Sequence, residues 1–292
     1  MRDNLRKWLL AIRPKTLPLS VAPVLTGTVL AHAGGGALSI PVALATLAAA
    51  MLIQIGTNLH NDAADFERGT DTPRRLGPRR ATAEGWFSAA RVKRAALLAF
   101  LLALLTGGYL AWVGGVPILV LGLLSLGAGY AYTGGPRPIA YSAGGELFVF
   151  LFFGLAAVAG SFYLQRGEVH GAALAAGAAL GLFAAAVLLV NNYRDLETDT
   201  QAGRLTLAHY LGRTNSRRLY AALLLLPFTL PPALEPVPGG GWLVLLALPP
   251  ALSLVRRFAS SPLDAGFNQI LADTARLQLL YAALLCLGVG LG

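Results

Sequence analysis

Two short stretches of the sequence place carboxylate and amide side chains at spacings that could hold a metal ion. The residues are Asn58, Asp62, Asp65 and Asp71 in the first stretch and Asn191, Asp195 and Asp199 in the second. In a helix, side chains three or four positions apart lie on one face. Asn58, Asp62 and Asp65 would therefore direct their oxygens to one side, and so would Asn191, Asp195 and Asp199. Mg²⁺ in proteins takes one or two carboxylates together with substrate phosphate oxygens. The two stretches therefore predict a Mg²⁺ site whose ligands are Asp62, Asp65, Asp71, Asp195 and Asp199.

Arginines accompany both aspartate stretches. A run follows the first stretch, and two belong to the second: Arg68, Arg74, Arg75, Arg79 and Arg80, then Arg194 and Arg204. Guanidinium groups bind phosphate oxygens through paired hydrogen bonds, and a metal ion can stabilise a departing oxyanion. The combination predicts a diphosphate clamp in which Asp62, Asp65, Asp195 and Asp199 are catalytic. The alternative, solvated charges at helix ends, suits single acids such as Glu67 better than the repeated pattern, because acids at a membrane boundary are costly and tend to be functional.

The elements that carry these residues are predicted to be transmembrane helices. Of the 292 residues, 55% are hydrophobic and 13% are charged, about half the charged fraction of a soluble domain. A helix needs about 20 mostly apolar residues to cross a bilayer. Nine apolar stretches occur, at Leu17–Ala31, Leu38–Leu59, Ala95–Trp112, Val116–Tyr132, Gly144–Leu164, Ala172–Val190, Leu219–Leu230, Trp242–Leu254 and Leu277–Leu291. We therefore expect an all-α polytopic membrane protein, with residues 1–292 forming one domain of about nine transmembrane helices around a central cavity.

The distribution of positive charge predicts the orientation. With the N-terminus in the cytoplasm, nine crossings place all of the 23 Lys and Arg residues except Arg166 on the cytoplasmic side, as the positive-inside rule requires. Both aspartate stretches then lie on that side, at the open end of the cavity, in the cell inner (plasma) membrane. The net charge of +9 would attract anionic lipid or substrate. It does not indicate nucleic-acid binding, because the basic residues lie at the ends of the predicted spans.

The motifs Asn61-Asp62-x-x-Asp65 and Asp195-x-x-x-Asp199 resemble the two signatures of the UbiA superfamily of membrane prenyltransferases. Much of that superfamily has a third aspartate four residues after the second, where this sequence has Gly69 and reaches its next acid at Asp71. That later acid and the run Arg75-Leu76-Gly77-Pro78-Arg79 are similar to the 1,4-dihydroxy-2-naphthoate polyprenyltransferase branch. The resemblance is weak in the last three predicted spans.

The resemblance implies a reaction and a set of binding residues. A polyprenyl group would pass from polyprenyl diphosphate to 1,4-dihydroxy-2-naphthoate, with loss of CO₂ and diphosphate, to give demethylmenaquinol in menaquinone biosynthesis. The implied cofactor is Mg²⁺, and the implied partners are the two substrates and the lipid bilayer. The substrate-binding residues would be Asn58, Arg68, Arg75, Arg79, Asn191, Arg194 and Arg204. Leu205 stands where the branch usually has a second cation.

Substrate contacts are also expected outside the two stretches. Lys15, Arg13 and Arg137 could bind the carboxylate or hydroxyls of the acceptor, or could instead anchor lipid headgroups. Glu146, just inside a predicted span, is either part of the polar site or an ion-pair partner of Arg137. Aromatic faces can stabilise an allylic cation. The candidates, each of which could equally be an interfacial or packing residue, are Tyr130, Tyr132, Tyr141 and Phe148.

Three other functions share some of these features. Cation-coupled transporters also hold acids in helices, but their sites usually lie near the bilayer midplane, whereas these acids lie at span ends. A CDP-alcohol phosphatidyltransferase would carry one contiguous signature, Asp-Gly…Asp-x-x-x-Asp, which the sequence lacks. Within the superfamily, 4-hydroxybenzoate is the alternative acceptor.

Overall fold

The computed structural model describes residues 2–70, 76–231 and 240–291, and these form helices and turns without a strand. The all-α prediction is confirmed. The helices are α1 (Arg2–Ala11), α2 (Pro18–Ala33), α3 (Ile40–Glu67), α4 (Ala89–Ala131), α5 (Gly145–Arg166), α6 (Gly171–Arg194), α7 (Leu196–Gln201), α8 (Leu207–Leu225), α9 (Leu248–Ser260) and α10 (Phe267–Leu291). Short 3₁₀ segments at Pro14–Thr16, Ile139–Tyr141, Leu226–Thr229 and Gly240–Ala247 join or extend them.

Helix α4 is a hairpin of two helical arms. Its 43 residues would extend about 65 Å if straight, roughly twice the thickness of the hydrocarbon core. The chain turns back at Gly115, which has a φ of 69°, a conformation that glycine adopts without steric cost. The reversal brings the Phe100 ring beside Gly129. The third and fourth predicted spans are therefore the two arms of this hairpin.

The chain is a multi-pass membrane protein. Among the described residues, six helices are long and apolar enough to cross a membrane, or seven if the bent pair Asp3–Thr16 and Pro18–Ala33 is one span. That count takes the α4 hairpin as a single helix. Each of the nine predicted stretches overlaps helical structure over most of its length. The number of nine crossings stays a prediction.

Helix α6 lies at the centre of the bundle. In the most apolar 18-residue segment of α6, 72% of the residues are buried. In the corresponding segments of α3 and α4, 22% are buried. It packs tightly on α5, because a Cβ added to Gly154 would lie only 2.4 Å from the Gly177 carbonyl oxygen and from Gly181 Cα. Small residues allow such close approach between transmembrane helices. The most enclosed helix of the bundle thus carries the second aspartate stretch at its end.

Candidate active site

Asn58, Asp62 and Asp65 of the first aspartate stretch lie on the last three turns of α3. Asp65 is fully buried. Its Oδ2 accepts a hydrogen bond from Arg80 at 2.8 Å and its Oδ1 accepts one from the Tyr141 hydroxyl at 3.0 Å. Burial and the adjacent Asp65 carboxylate raise the pKa of Tyr141 above its ordinary value of 10.0. The phenol therefore stays protonated and donates a hydrogen bond to Asp65. The carboxylate is held by groups from two separate loops.

Asp62 faces a different part of the first loop. Its carboxylate accepts hydrogen bonds from the backbone N–H groups of Ala81 and Thr82, at 2.8 and 2.9 Å, and from the Thr82 hydroxyl. These bonds hold the turn that carries Arg80. The Arg80 guanidinium donates to Asn61 Oδ1 at 2.8 Å as well as to Asp65. Asp62 therefore anchors the segment that delivers Arg80 to the site.

The second stretch begins at the end of α6. The backbone departs from regular helical angles at Asp195, where φ is −93° and ψ is 11°. The helical hydrogen bonds nevertheless continue, from Asp195 N–H to Asn191 O at 3.1 Å and from Asp199 N–H to Asp195 O at 2.8 Å. Hydrogen bonds between residues four apart thus continue from α6 into α7, as the i, i+4, i+8 spacing in the sequence predicts.

Arg194 links the second stretch to α10 by hydrogen bonds. Its guanidinium donates to the Asp195 carboxylate, to Asn191 Oδ1 and to Asn268 Oδ1, the last two at 2.8 Å. The Arg194 residue is 2% exposed. Asn268 in turn donates to the Leu76 carbonyl at 2.8 Å. Arg194 therefore connects the second stretch, through α10, to the loop that follows the first stretch.

Arg204 joins the two stretches directly. Its guanidinium lies 3.4 Å from Asp65 Oδ2 and 3.6 Å from Asp199 Oδ1, and 4.9 Å from the centre of the Tyr141 ring. One carboxylate from each stretch thus flanks a single buried cation. Opposite charges at this range stabilise one another strongly away from water. The sequence predicted this convergence of the two stretches but not the residue that makes it.

The carboxylates of the two stretches suit a divalent metal ion whose remaining coordination positions are filled by a bound substrate. Among the described residues, no three His, Cys, Asp or Glu side chains are grouped so that they could hold an ion by themselves. Mg²⁺ commonly uses only one or two protein carboxylates, with water and phosphate oxygens filling its other positions. Asp65 and Asp199, which already share a cation in Arg204, fit that requirement.

A cavity of about 350 Å³ opens between α2, α3, both arms of α4, α5 and α6. Its polar lining includes Arg13, Arg80, Arg204, Asn58, Asn61 and Asn191. No Asp or Glu is among the described residues that line it. The remaining wall is mostly aliphatic and aromatic, and it includes Tyr132 and Phe148, whose rings lie 6.2 Å apart. The cavity therefore combines a cationic region with a long apolar one.

Several predicted residues support the site without lining the cavity. Arg68 donates to the carbonyls of Thr133 and Gly135 and so ties α3 to the loop after α4. Glu146 is buried, and its Oε1 accepts a hydrogen bond from Asn192 at 2.9 Å. The expected alternative partner, Arg137, is exposed to solvent.

Other predicted residues lie away from the cavity. Lys15 and Arg79 are exposed like Arg137, and Arg79 pairs with Glu84 at 3.7 Å. Asp71 and Arg75 are outside the described residues. In the sequence, Arg80 is one member of a run of arginines. In the structure it is only 4% exposed and donates hydrogen bonds to both Asn61 and Asp65. No local pattern separates Arg80 from Arg79.

Comparison with known proteins assigns the chain to a family. The family model described as the UbiA prenyltransferase family matches residues 20–263, a range that contains both aspartate stretches. The chain belongs to the UbiA prenyltransferase family. The resemblance carried by the two motifs is confirmed.

This UbiA-family chain is similar to bacterial proteins over nearly its whole length. It is 38% identical to the 1,4-dihydroxy-2-naphthoate octaprenyltransferase of Escherichia coli, over 97% of this chain and 94% of that protein. It is 32% identical to the Bacillus subtilis protein of the same name, over 95% and 90% of the two chains. A solved structure of a UbiA homolog from Archaeoglobus fulgidus, bound to DMAPP and Mg²⁺, has a TM-score of 0.69 at 17% identity and covers 98% of this chain and 100% of that one. That likeness shows the shared fold.

Proposed function

We propose that this protein transfers a polyprenyl group from a polyprenyl diphosphate to 1,4-dihydroxy-2-naphthoate, with loss of CO₂ and diphosphate, to give demethylmenaquinol. The observation that carries the proposal is the position of Arg204 between Asp65 and Asp199, in the cationic region of a cavity whose wall is mostly apolar. The naphthoate acceptor is supported by the names of relatives that are 32% and 38% identical over more than nine-tenths of the chain.

The cationic region suits a diphosphate. Arg13, Arg80 and Arg204 line the cavity, and hydrogen bonds from guanidinium to phosphate oxygens are about twice as strong as neutral ones. Asp65 and Asp199, together with Asp195 and Asp71, are the proposed ligands of Mg²⁺. When bound, Mg²⁺ would neutralise charge on the departing diphosphate. Asp62 supports the same region through the turn that carries Arg80.

The chemistry begins with cleavage of the bond between the prenyl carbon and the diphosphate oxygen. The bonding electrons leave with the diphosphate, and the arginines stabilise the charge that develops there in the transition state. The aromatic faces of Tyr132 and Phe148, which line the cavity, can stabilise the allylic cation that remains. The apolar wall of the cavity would keep water away from that cation.

The acceptor then completes the transfer. The ring carbon that bears the carboxylate attacks the allylic cation and forms the new carbon–carbon bond. The carboxylate departs as CO₂, and the electron pair of its bond to the ring restores the aromatic system. The polyprenyl chain would lie along the apolar wall. On α3 alone the lining extends from Asn61 to Thr46, about 22 Å along the helix axis.

The proposed location is the cell inner membrane, with the N-terminus and both aspartate stretches on the cytoplasmic side. The distribution of charge supports this orientation, since Arg80, Arg194 and Arg204 gather at one end of the bundle. Arg166, the exception in the sequence, lies at the end of α5 and donates to the Gly34 carbonyl at 2.9 Å, where α2 ends.

The proposal is tested with membranes that contain the protein, Mg²⁺ and a labelled polyprenyl diphosphate. Dihydroxynaphthoate, 4-hydroxybenzoate and homogentisate are supplied separately, and we expect a prenylated product with dihydroxynaphthoate alone. Product only with hydroxybenzoate would overturn the acceptor, and no product with any of the three would overturn the transferase itself. Asp199→Ala should abolish the product, whereas Asp264→Ala, in an exposed loop, serves as the matched control and should not.

A further inference from the structure

Four polar side chains interrupt the apolar wall of the cavity where α2 meets α3. They are Thr16, Ser20, Gln54 and Asn58, and all four line the cavity. Ser20, Gln54 and Asn58 are only 4%, 6% and 6% exposed. Polar side chains this deeply buried are normally satisfied by hydrogen bonds, and one that is not requires an explanation.

The Thr16 hydroxyl determines how Gln54 is oriented. A hydroxyl has one proton to donate and two lone pairs to accept with. Thr16 Oγ1 donates to the Arg13 carbonyl at 3.0 Å. It accepts from Gln54 Nε2 at 3.4 Å and from Asn58 Nδ2 at 3.2 Å. Because the proton of Thr16 is already used, Gln54 must present its NH₂ group to Thr16 and its carbonyl oxygen elsewhere.

Two polar atoms in this wall lack a partner. Gln54 Oε1 and Ser20 Oγ are buried and have no hydrogen-bond partner among the described residues. Gln54 Oε1 can only accept a hydrogen bond, whereas a serine hydroxyl can donate or accept one. Since leaving such atoms unpaired lowers stability, a ligand in the cavity that supplies a donor would be bound selectively at this place.

The chemistry of the substrates decides which one meets this requirement. A polyprenyl chain is a hydrocarbon and offers no hydrogen bond. A diphosphate oxygen accepts hydrogen bonds and cannot satisfy Gln54 Oε1. A hydroxylated aromatic acceptor has a phenolic proton to donate. Its apolar ring suits the neighbouring Leu19 and Ile53, which also line the cavity.

We propose that Gln54 and Ser20 form the binding site for the hydroxyl groups of the aromatic acceptor. This inference rests on the proposed function, because it assumes that a hydroxylated aromatic acid enters the cavity. Gln54 Oε1 accepts a hydrogen bond from one phenolic hydroxyl, and Ser20 Oγ pairs with a second oxygen of the acceptor. The network through Thr16 and Asn58 holds Gln54 in the required orientation before the acceptor arrives.

The test separates the two substrates kinetically. In Gln54→Leu, the KM for dihydroxynaphthoate should rise about tenfold, the loss expected for one hydrogen bond, and the KM for the prenyl diphosphate should not change. The inhibition constant of 2-naphthoate, a competitor without hydroxyl groups, should also stay the same. The variant should therefore lose the wild-type preference for the hydroxylated ring.

A second variant tests the same site independently, in case Gln54→Leu does not fold. Ser20→Ala removes one oxygen from α2 and should also raise the KM for the acceptor alone. Thr28→Val is the matched control, because Thr28 lies on α2 outside the cavity wall and its hydroxyl bonds within its own helix to Val24 O at 2.8 Å. It should leave every constant unchanged.

Three results would overturn the inference. These are an unchanged acceptor KM in both variants, equal changes in the KM of the two substrates, or an inhibition constant for 2-naphthoate that rises together with the acceptor KM. If the wild type prenylates another hydroxylated acid, the proposed function is wrong and the same comparison is made with that acid. If the wild type prenylates none of the acids, the affinity for dihydroxynaphthoate is measured by equilibrium dialysis. Equal affinities of the wild type and Gln54→Leu would reject the binding site.

Discussion

The guanidinium of Arg204 lies 3.4 Å from the carboxylate of Asp65, a residue 139 positions earlier in the chain. The same guanidinium lies 3.6 Å from Asp199. Because all three residues are buried, one cation holds the two aspartate stretches together in a region shielded from bulk solvent. Substitutions at this junction should therefore affect the diphosphate and the metal ion together, whereas substitutions in the acceptor wall should not.

Replacement of Arg204 should impair the departure of the diphosphate. Removing one group that stabilises a developing anion typically lowers kcat by about 100-fold or more, and we expect Arg204→Ala to do so. Arg204→Lys keeps the charge and should recover part of the rate. Arg218→Ala, at an exposed position on α8, is the control. An Arg204→Ala enzyme with wild-type kcat would remove Arg204 from the diphosphate site.

Asp65 and Asp199 should set the dependence on Mg²⁺. Asp65→Asn and Asp199→Asn keep the size of the side chain but remove its charge, so the Mg²⁺ concentration for half-maximal activity should rise at least about tenfold. The measurement is prenyl transfer at a series of Mg²⁺ concentrations. An unaltered Mg²⁺ dependence in both variants would contradict the assignment of these two carboxylates to the metal.

Asp62 and Arg80 should act as one unit. Asp62 holds the turn at Ala81 and Thr82, so Asp62→Asn should lower activity by releasing Arg80 from its position. Substitutions that break the same interaction are not additive. The double variant Asp62→Asn, Arg80→Ala should therefore be no less active than Arg80→Ala alone.

The Mg²⁺ dependence provides a second measurement on Asp62. Because Asp62 bonds to the turn at 81–82 and not to Arg204, which joins Asp65 to Asp199, the half-maximal Mg²⁺ concentration should change less in Asp62→Asn than in Asp65→Asn. Independent, multiplicative losses in the double variant, or a large shift in the Mg²⁺ dependence of Asp62→Asn, would show that Asp62 acts on the metal directly.

Gly115 should be important for stability. Its φ of 69° and ψ of −158° lie in a region that costs a residue with a Cβ about 1–3 kcal/mol, so Gly115→Ala should lower the thermal midpoint of the purified protein. Gly127→Ala, in a helical part of the same hairpin where an added Cβ meets nothing within 4 Å, is the matched control. Equal midpoints for the two variants would indicate that the reversal at Gly115 tolerates a side chain.

The sequence by itself determined the class of the protein and the identity of its motifs. The length of an apolar stretch, the clustering of arginines and a spacing of four residues are properties of neighbouring positions, so they can be read without a fold. They were sufficient to predict an all-α membrane protein, the UbiA resemblance and the two converging aspartate stretches. They also predicted two separate spans on either side of Gly115, although not that these pack as one hairpin.

Only the tertiary structure decided which of the charged residues form the site. Arg79 and Arg80 are neighbours in the same loop, yet one is exposed and the other is buried against Asn61 and Asp65. The difference comes from the bonds between Asp62 and the turn at 81–82. Such contacts join residues far apart in the chain, and they form only where packed helices bring those residues together and remove them from water.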